Sequence, residues 1–325
     1  MFVPVVNQNQ EPLMPTTSWR ASRMVQSGKA TWFIKKGQFC LRLNHKTKEI
    51  KQPICVGIDP GSKKEGYSVK SKAHTYFNVQ CDAVTWVKDR IEARRNARRA
   101  RRNRNTPCRK NKSNRSKSQF PPSTKARWQL KLRILNWFKK MFPISNVIVE
   151  DIKAKTKGNR KWDLSFSPLE VGKKWFYDQI DNLTTKQGFE TYEMINELGL
   201  KKLSNKMSNK FEAHCVDGWI LANSVVGGHE VPDNRQVKCI VPLELHKRHL
   251  HMFQPSKEGK RREDGGTMSL GWKRGSLVRH KKLGVVYVGG SSKGKVSLHS
   301  LVDGKRLTQS GKKEDCVWLC FSGWR

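Results

Sequence analysis

The stretch "VGIDPGSKKEGYSV", Val56 to Val69, closes an apolar run with one aspartate and then turns at once through Pro60-Gly61 into a second strand-like run. An Asp ahead of Pro-Gly is an ordinary turn former, so Asp59 has two readings, a turn residue or a functional acid. Outward from it, "ICVGID", "GYSVK" and "TYFNVQCDAV" succeed one another across turn-forming gaps, and the three runs read as an antiparallel meander.

After the meander comes "WVKDRIEARRNARRARRNRN", twenty residues without Gly or Pro and rich in helix formers, which predicts a helix. From Lys88 to Lys117 there are fourteen Lys/Arg and two acids, and the arginines at 94, 95, 98, 99, 101 and 102 surround the helix. Such a helix cannot be buried in a core and needs counter-charge along its length. A solvated basic arm is the plain alternative. A Ser/Asn/Pro-rich connector leads to "TKARWQLKLRILNWFKKMF", where Trp128, Leu132, Leu135, Phe138 and Phe142 recur at helical spacing. Trp86 and Trp128 suit helix anchoring better than base stacking.

"NVIVEDI" is a short buried-strand pattern that ends in Glu150 and Asp151, rivals for one role. A helix is expected over residues 167–186, a strand at "FETYEM", and a helix from Asn209 to Val226 that stops at Gly227-Gly228. Before the meander, "FVPVV" reads as a strand, Pro12 and Pro15 bracket an expected fixed bend, and a short helix from Ser18 precedes two strands. The last hundred residues alternate in short Gly-rich runs such as "GSLVRH", "GVVYVGG" and "CVWLCF", a small barrel or curled sheet.

The bulk composition narrows the function. With 65 Lys+Arg against 27 Asp+Glu, the 325-residue chain carries +38, which calls for a polyanionic partner, nucleic acid before a membrane surface. No run approaches a spanning helix and no secretory leader opens the chain, so a membrane partner is not expected and a cytoplasmic setting is. The eight cysteines include no CxxC, and Cys316 with Cys320 would be at most half of a metal site. In "HKRHLH", His246 to His251, the interleaved Lys247 and Arg248 favour phosphate over metal.

Three antiparallel strands, helix, strand, helix, strand, helix is the order of the ribonuclease H-like fold. In that fold the first and fourth strands are adjacent and parallel, which would set Asp59 beside Glu150, while Asp217 approaches from the last helix with His214 one turn earlier. Gathered carboxylates suit Mg²⁺, and two ions about 3.5–4 Å apart would clamp a phosphodiester. His214 would orient or deprotonate the water.

"PLMP" at residues 12–15, "VGIDPGSKKEGYSV", the arginine-rich helix, "NVIVEDI", "HCVDG" and "LHMFQPSKEGKRREDGG" stand in one order over most of the chain. Together they resemble the IscB and IsrB proteins, transposon-encoded RNA-guided nucleases related to the ancestors of the type II CRISPR effectors. The resemblance implies an α/β multidomain chain: a PLMP domain at 1–52, the first strands of a split RuvC core at 53–85, a bridge helix and basic connector at 86–122, the rest of that core at 123–226, and a β-rich domain at 227–325 that contacts DNA next to the target. It implies metal-binding roles for Asp59, Glu150 and Asp217, a catalytic role for His214, and guide-RNA contacts for Arg94, Arg95, Arg98, Arg99, Arg101 and Arg102. The implied cofactor is Mg²⁺, two ions, with Mn²⁺ able to substitute. The implied partners are a guide RNA and double-stranded target DNA with a short adjacent motif, bound by a monomeric protein in a ribonucleoprotein.

IscB proteins insert an HNH nuclease between the second and third RuvC motifs, and its chemistry needs histidine. Residues 152–213 contain neither His nor Cys, so the chain is similar to IsrB, which lacks the insert. One cleavage site implies a nickase. The rivals are a Holliday-junction resolvase of the RuvC class and a non-catalytic RNA-binding protein. TnpB-type nucleases usually carry a CxxC element that is not seen here.

Overall fold

The computed structural model of the chain describes residues 2–47, 50–104, 120–153, 167–243 and 268–324. The connector beyond Arg104, the "HKRHLH" cluster, the segment "LHMFQPSKEGKRREDGG" and the side chain of Arg101 lie outside the described residues.

The chain opens with β1 (Phe2–Val6), β2 (Pro12–Thr17), α1 (Ser18–Gln26), β3 (Ala30–Lys35) and β4 (Gln38–Leu43), in a sheet of order β2-β1-β4-β3. The segment expected as a proline-bracketed bend is instead the strand β2, antiparallel to β1. It is an outer strand, where prolines without N–H groups are tolerated because one side of the ladder is open. Thr17 ends β2 and caps α1 by accepting a hydrogen bond from the Arg20 N–H. Val3, Val5, Leu13, Ala21, Ala30, Leu41 and Leu43 form a core of this unit's own.

The central layer comprises β5 (Ile54–Asp59), β6 (Lys64–Ser71), β7 (Thr75–Asp82), α2 (Val87–Asn103), α3 (Pro122–Lys139), β8 (Asn146–Asp151), α4 (Pro168–Tyr177), β9 (Leu183–Gln187), α5 (Gly188–Glu197), α6 (Phe211–Val226) and β10 (Val237–Ile240). Its sheet runs β10-β7-β6-β5-β8-β9. The meander β5-β6-β7 is antiparallel, whereas β5 with β8, β8 with β9 and β7 with β10 are parallel. The first and fourth strands of this layer are therefore adjacent and parallel. Residues 237–240, grouped by sequence with the carboxy-terminal region, form an outer strand of the same sheet.

Two expectations here are corrected. The helix expected over 167–186 ends at Tyr177, and "FETYEM" is not a strand but most of α5; the strand is the preceding "LTTKQ". A capping box starts α5, with the Gln187 N–H donating to Glu190 Oε2 at 2.6 Å. β9 is an outer, largely polar strand, so it shows no apolar alternation to read.

Strand alternation divides the sheet between two helical layers. Val56, Ile58, Val147 and Val149 face α3 and α4 in the main core, with Leu130, Ile134, Leu135, Phe138 and Phe176. Cys55 and Ile148 face α6 through Leu221 and Ala222. On α3 the buried face is broader than the expected stripe: Leu130, Ile134 and Trp137 are buried, Leu132 only partly. Trp128 is in this core and Trp86 packs against it, anchors as expected. Lys131 is also buried, its ammonium 2.5 Å from Glu65 Oε1, and the Tyr67 hydroxyl donates to the other Glu65 oxygen.

The carboxy-terminal part holds the two-stranded β11 (Met268–Ser269) and β12 (Trp272–Lys273), then β13 (Ser276–His280), β14 (Gly284–Ser292), β15 (Lys295–His299), β16 (Arg306–Gly311) and β17 (Cys316–Phe321). The last five form an antiparallel sheet in the order β16-β15-β14-β13-β17 around Val278, Val286, Val288, Val296 and Leu298. Cys316 and Cys320 are buried free thiols of β17. No helix among the described residues is long and apolar enough to cross a membrane.

Candidate active site

Three glycines set the geometry of the site. A Cβ on Gly57 of β5 would lie 1.8 Å from the Gly218 carbonyl oxygen of α6, and one on Gly66 of β6 would lie 2.1 Å from the His214 carbonyl oxygen. Only side-chain-free backbone lets a helix rest this closely on a sheet, and it brings α6 down beside the last residue of β5. Gly66 is the residue paired with Asp59 across the ladder.

Asp59, at the end of β5, shares its strand face with Gly57 and Cys55 and so points toward α6. In the parallel neighbour, Ile58 is in register with Val149, which sets Asp59 beside Glu150 one step on. His214 and Asp217 project from α6, three residues apart on one face. Asp59, Glu150, His214 and Asp217 line one cavity of about 400 Å³, together with Lys63, Lys64, Lys202 and Lys206. All four side chains expected from sequence are brought together. Asp151, the rival of Glu150, is on the opposite face, where it binds Lys173 at 2.8 Å, the Gln187 amide at 3.0 Å and the Tyr177 hydroxyl at 3.2 Å. Strand alternation separates the two acids.

His214 Nδ1 is 2.9 Å from Asp59 Oδ2 and its Nε2 is 3.0 Å from the Lys206 carbonyl oxygen. Both partners offer acceptor oxygens, an arrangement that favours a proton on each ring nitrogen. Burial opposes that charge, but the bond to Asp59 and its carboxylate outweigh burial and raise the His214 pKa. Burial, reinforced by the neighbouring Asp59 charge and a hydrogen bond with it, lifts Glu150 to about 8. Burial and Asp59 lift Asp217 to about 6, against the pull of Lys202, whose ammonium is 2.8 Å from Asp217 Oδ1. These are acids crowded together in a confined space, and burial is the largest cause of both shifts.

That donor set, three carboxylates and no sulfur, suits a hard divalent cation. The side chains as placed are not a finished ligand sphere: among the described residues no group of three His, Cys, Asp or Glu is spaced to hold one ion. Lys202 is bonded to Asp217 and His214 to Asp59.

The sequence pattern does not single out Lys202 and Lys206. They lie between α5 and α6 in "GLKKLSNKMSNK", which carries no motif, and only the path of the chain brings them over the acids. The basic helix is α2, with Arg94, Arg95, Arg98, Arg99 and Arg102 exposed. Among the described residues α2 packs mainly against α3, and its residues 92–100 are exposed.

A protein family described as "RRXRR protein" matches residues 3–163, a span that includes the site acids Asp59 and Glu150. The pattern of that description stands in α2 as Arg98-Arg99-Ala100-Arg101-Arg102. No curated protein matches the chain. Among solved structures, the chain is similar to the T. thermophilus RuvC solved in complex with a Holliday junction substrate, at 14% identity and a TM-score of 0.28, over 55% of this chain and 98% of that one.

Proposed function

We propose that this chain is a metal-dependent nuclease with a ribonuclease H-like, RuvC-type core, and that it nicks DNA under the direction of a guide RNA. The observation that carries the nuclease reading is the convergence of Asp59, Glu150, Asp217 and His214, drawn from three distant segments, on one cavity edged by lysines. Glu150 and Asp217 have pKa values raised by burial and by Asp59 beside them, as acids gathered at functional sites often do.

Asp59, Glu150 and Asp217 would hold Mg²⁺, two ions with Mn²⁺ as a substitute, and the bound metal supplies water activation and charge neutralisation at the phosphate. The chain's own residues do the rest. Lys63 and Lys206, at the cavity wall, attract the phosphodiester backbone. His214 holds Asp59 in place through their hydrogen bond; once the ring has released its Nδ1 proton to solvent, that nitrogen has a lone pair to accept a proton from water.

RNA guidance rests on the resemblance to IsrB and on α2, whose exposed arginines present charge on several sides over a length suited to lying between nucleic-acid strands. The guide pairs with one strand of target DNA bearing a short adjacent motif. The single site then cuts the displaced strand, in the cytoplasm, with the protein as a monomer in a ribonucleoprotein. The test is purification from cells with any bound RNA, sequencing of that RNA, and incubation with supercoiled plasmid carrying the matching sequence and Mg²⁺. Open-circle product that requires both RNA and Asp59 is expected. Efficient linear product from one site would rule out a nickase, and cutting of junction DNA without RNA would favour a resolvase.

A further inference from the structure

The acids chemically suit a divalent cation, yet their side chains do not form a three-ligand group. Among them stands a cation of the chain itself, Lys202. It lies in the segment between α5 and α6 that contributes Lys202, Lys206 and Met207 to the cavity wall. Its ammonium sits 2.8 Å from Asp217 Oδ1, with Asp217 almost wholly buried and Lys202 about one-third exposed. Asp217 is the main attraction for this ammonium, and the charges of Asp59 and Glu150 add to it. Of the other lysines at the cavity, Lys64 is turned to Asp82 and Asn209, each at 2.8 Å. The same segment is tied to the site a second time by the His214 bond to the Lys206 carbonyl.

We propose that Lys202 is the built-in counter-ion of the metal-free site, holding the carboxylates together until a divalent cation displaces it from Asp217. The inference rests on the metal-site reading above and adds an order of events: metal entry requires Lys202 to leave. The physical reason is that buried carboxylates in one cavity repel each other strongly unless a cation lies among them. An ammonium on a flexible four-carbon stem can both fill that position and vacate it.

Three measurements on the full chain test this, none of which reads cleavage. Mn²⁺ binding by electron paramagnetic resonance should be about tenfold or more tighter in Lys202→Met, because no competing ammonium has to be moved. The melting temperature of the same variant, metal-free, should fall below wild type, and Mn²⁺ should recover more of it than it adds to wild type. In the wild-type protein, which carries no folding risk, acetylation of Lys202 followed by mass spectrometry should be slow without metal and faster with Mg²⁺. Unchanged or weaker Mn²⁺ binding in Lys202→Met, or Lys202 acetylation indifferent to Mg²⁺ in a protein that binds it, would overturn the proposal. Failure of wild type and variant alike to bind Mn²⁺ at millimolar concentration would instead overturn the metal-site reading beneath it.

Discussion

Gly57 and Gly218 meet backbone against backbone: a methyl group on Gly57 would sit 1.8 Å from the Gly218 carbonyl oxygen. Here the fold and the site are one constraint, since the approach that seats α6 on the sheet also delivers Asp217 to Asp59. Gly57→Val and Gly66→Val should each destabilise the protein by about 3 kcal/mol or more through overpacking against backbone that cannot yield. In whatever fraction folds, Mn²⁺ binding should be abolished. Thermal melts with metal titration check this; a folded Gly57→Val protein with normal metal affinity would contradict it.

The two acids that end β8 should part company. Glu150→Gln should abolish cleavage and weaken Mn²⁺ binding, because Glu150 faces the cavity. Asp151→Asn should leave cleavage within about threefold of wild type and cost about 1 kcal/mol of stability, from its partly exposed bond to Lys173. Parallel nicking assays and denaturant melts decide it; equal loss of cleavage in both variants would refute the assignment by strand face.

Lys131 and Glu65 form an ion pair inside the main core, where removal of one partner strands the other. Lys131→Met should cost about 3–5 kcal/mol, since Glu65 is then a buried carboxylate that keeps the Tyr67 hydroxyl but has lost its counter-charge. The double variant Lys131→Met, Glu65→Gln should recover part of that loss. Urea denaturation of both proteins measures the coupling.

Stability of the metal-free protein should fall as pH rises. Folded Glu150 keeps its proton up to about 8, against an ordinary value of 4.5, and folded Asp217 up to about 6, against 3.8. Between those limits the native state binds protons that the unfolded chain has released, so raising the pH favours unfolding. His214, with its pKa raised, acts in the same direction: its stabilisation is full below its unfolded value and disappears as pH passes its folded one. Mg²⁺ should therefore raise the melting temperature more at pH 8 than at pH 5. A larger effect at pH 5 would show that the acids do not hold the ion.

The exposed arginines of α2 should govern affinity and its salt dependence together. Replacing Arg94, Arg95, Arg98 and Arg99 with Gln should lower the log–log salt slope of RNA binding by about 0.7 for each single-strand phosphate that is no longer neutralised. The melting temperature should hardly change, because these side chains are exposed and outside the core. Filter binding across a salt series checks it; an unchanged slope would place the RNA elsewhere.

What the sequence determines by itself is local and periodic. Alternating apolar residues mark β5 to β8 and the strands of the carboxy-terminal sheet, the Gly-free arginine run marks α2, and Gly227 marks the end of α6. Asp59, Glu150, His214 and Asp217 are legible because strand ends and helix faces follow from those patterns and from the order of elements. The tertiary structure decides what depends on a neighbour. β9 and β2 escape a reading by pattern because outer strands need no apolar alternation and tolerate proline, and "FETYEM" misleads because its capping box outweighs its strand-like pattern. Asp151 is separated from Glu150 only by the face that each occupies. Lys202 carries no signal in its own segment, since its role is set by a charge fifteen residues away on a helix pressed down by glycines. Side-chain pattern is written along the chain, whereas the electrostatic surroundings of a group depend on everything the fold brings within reach of it.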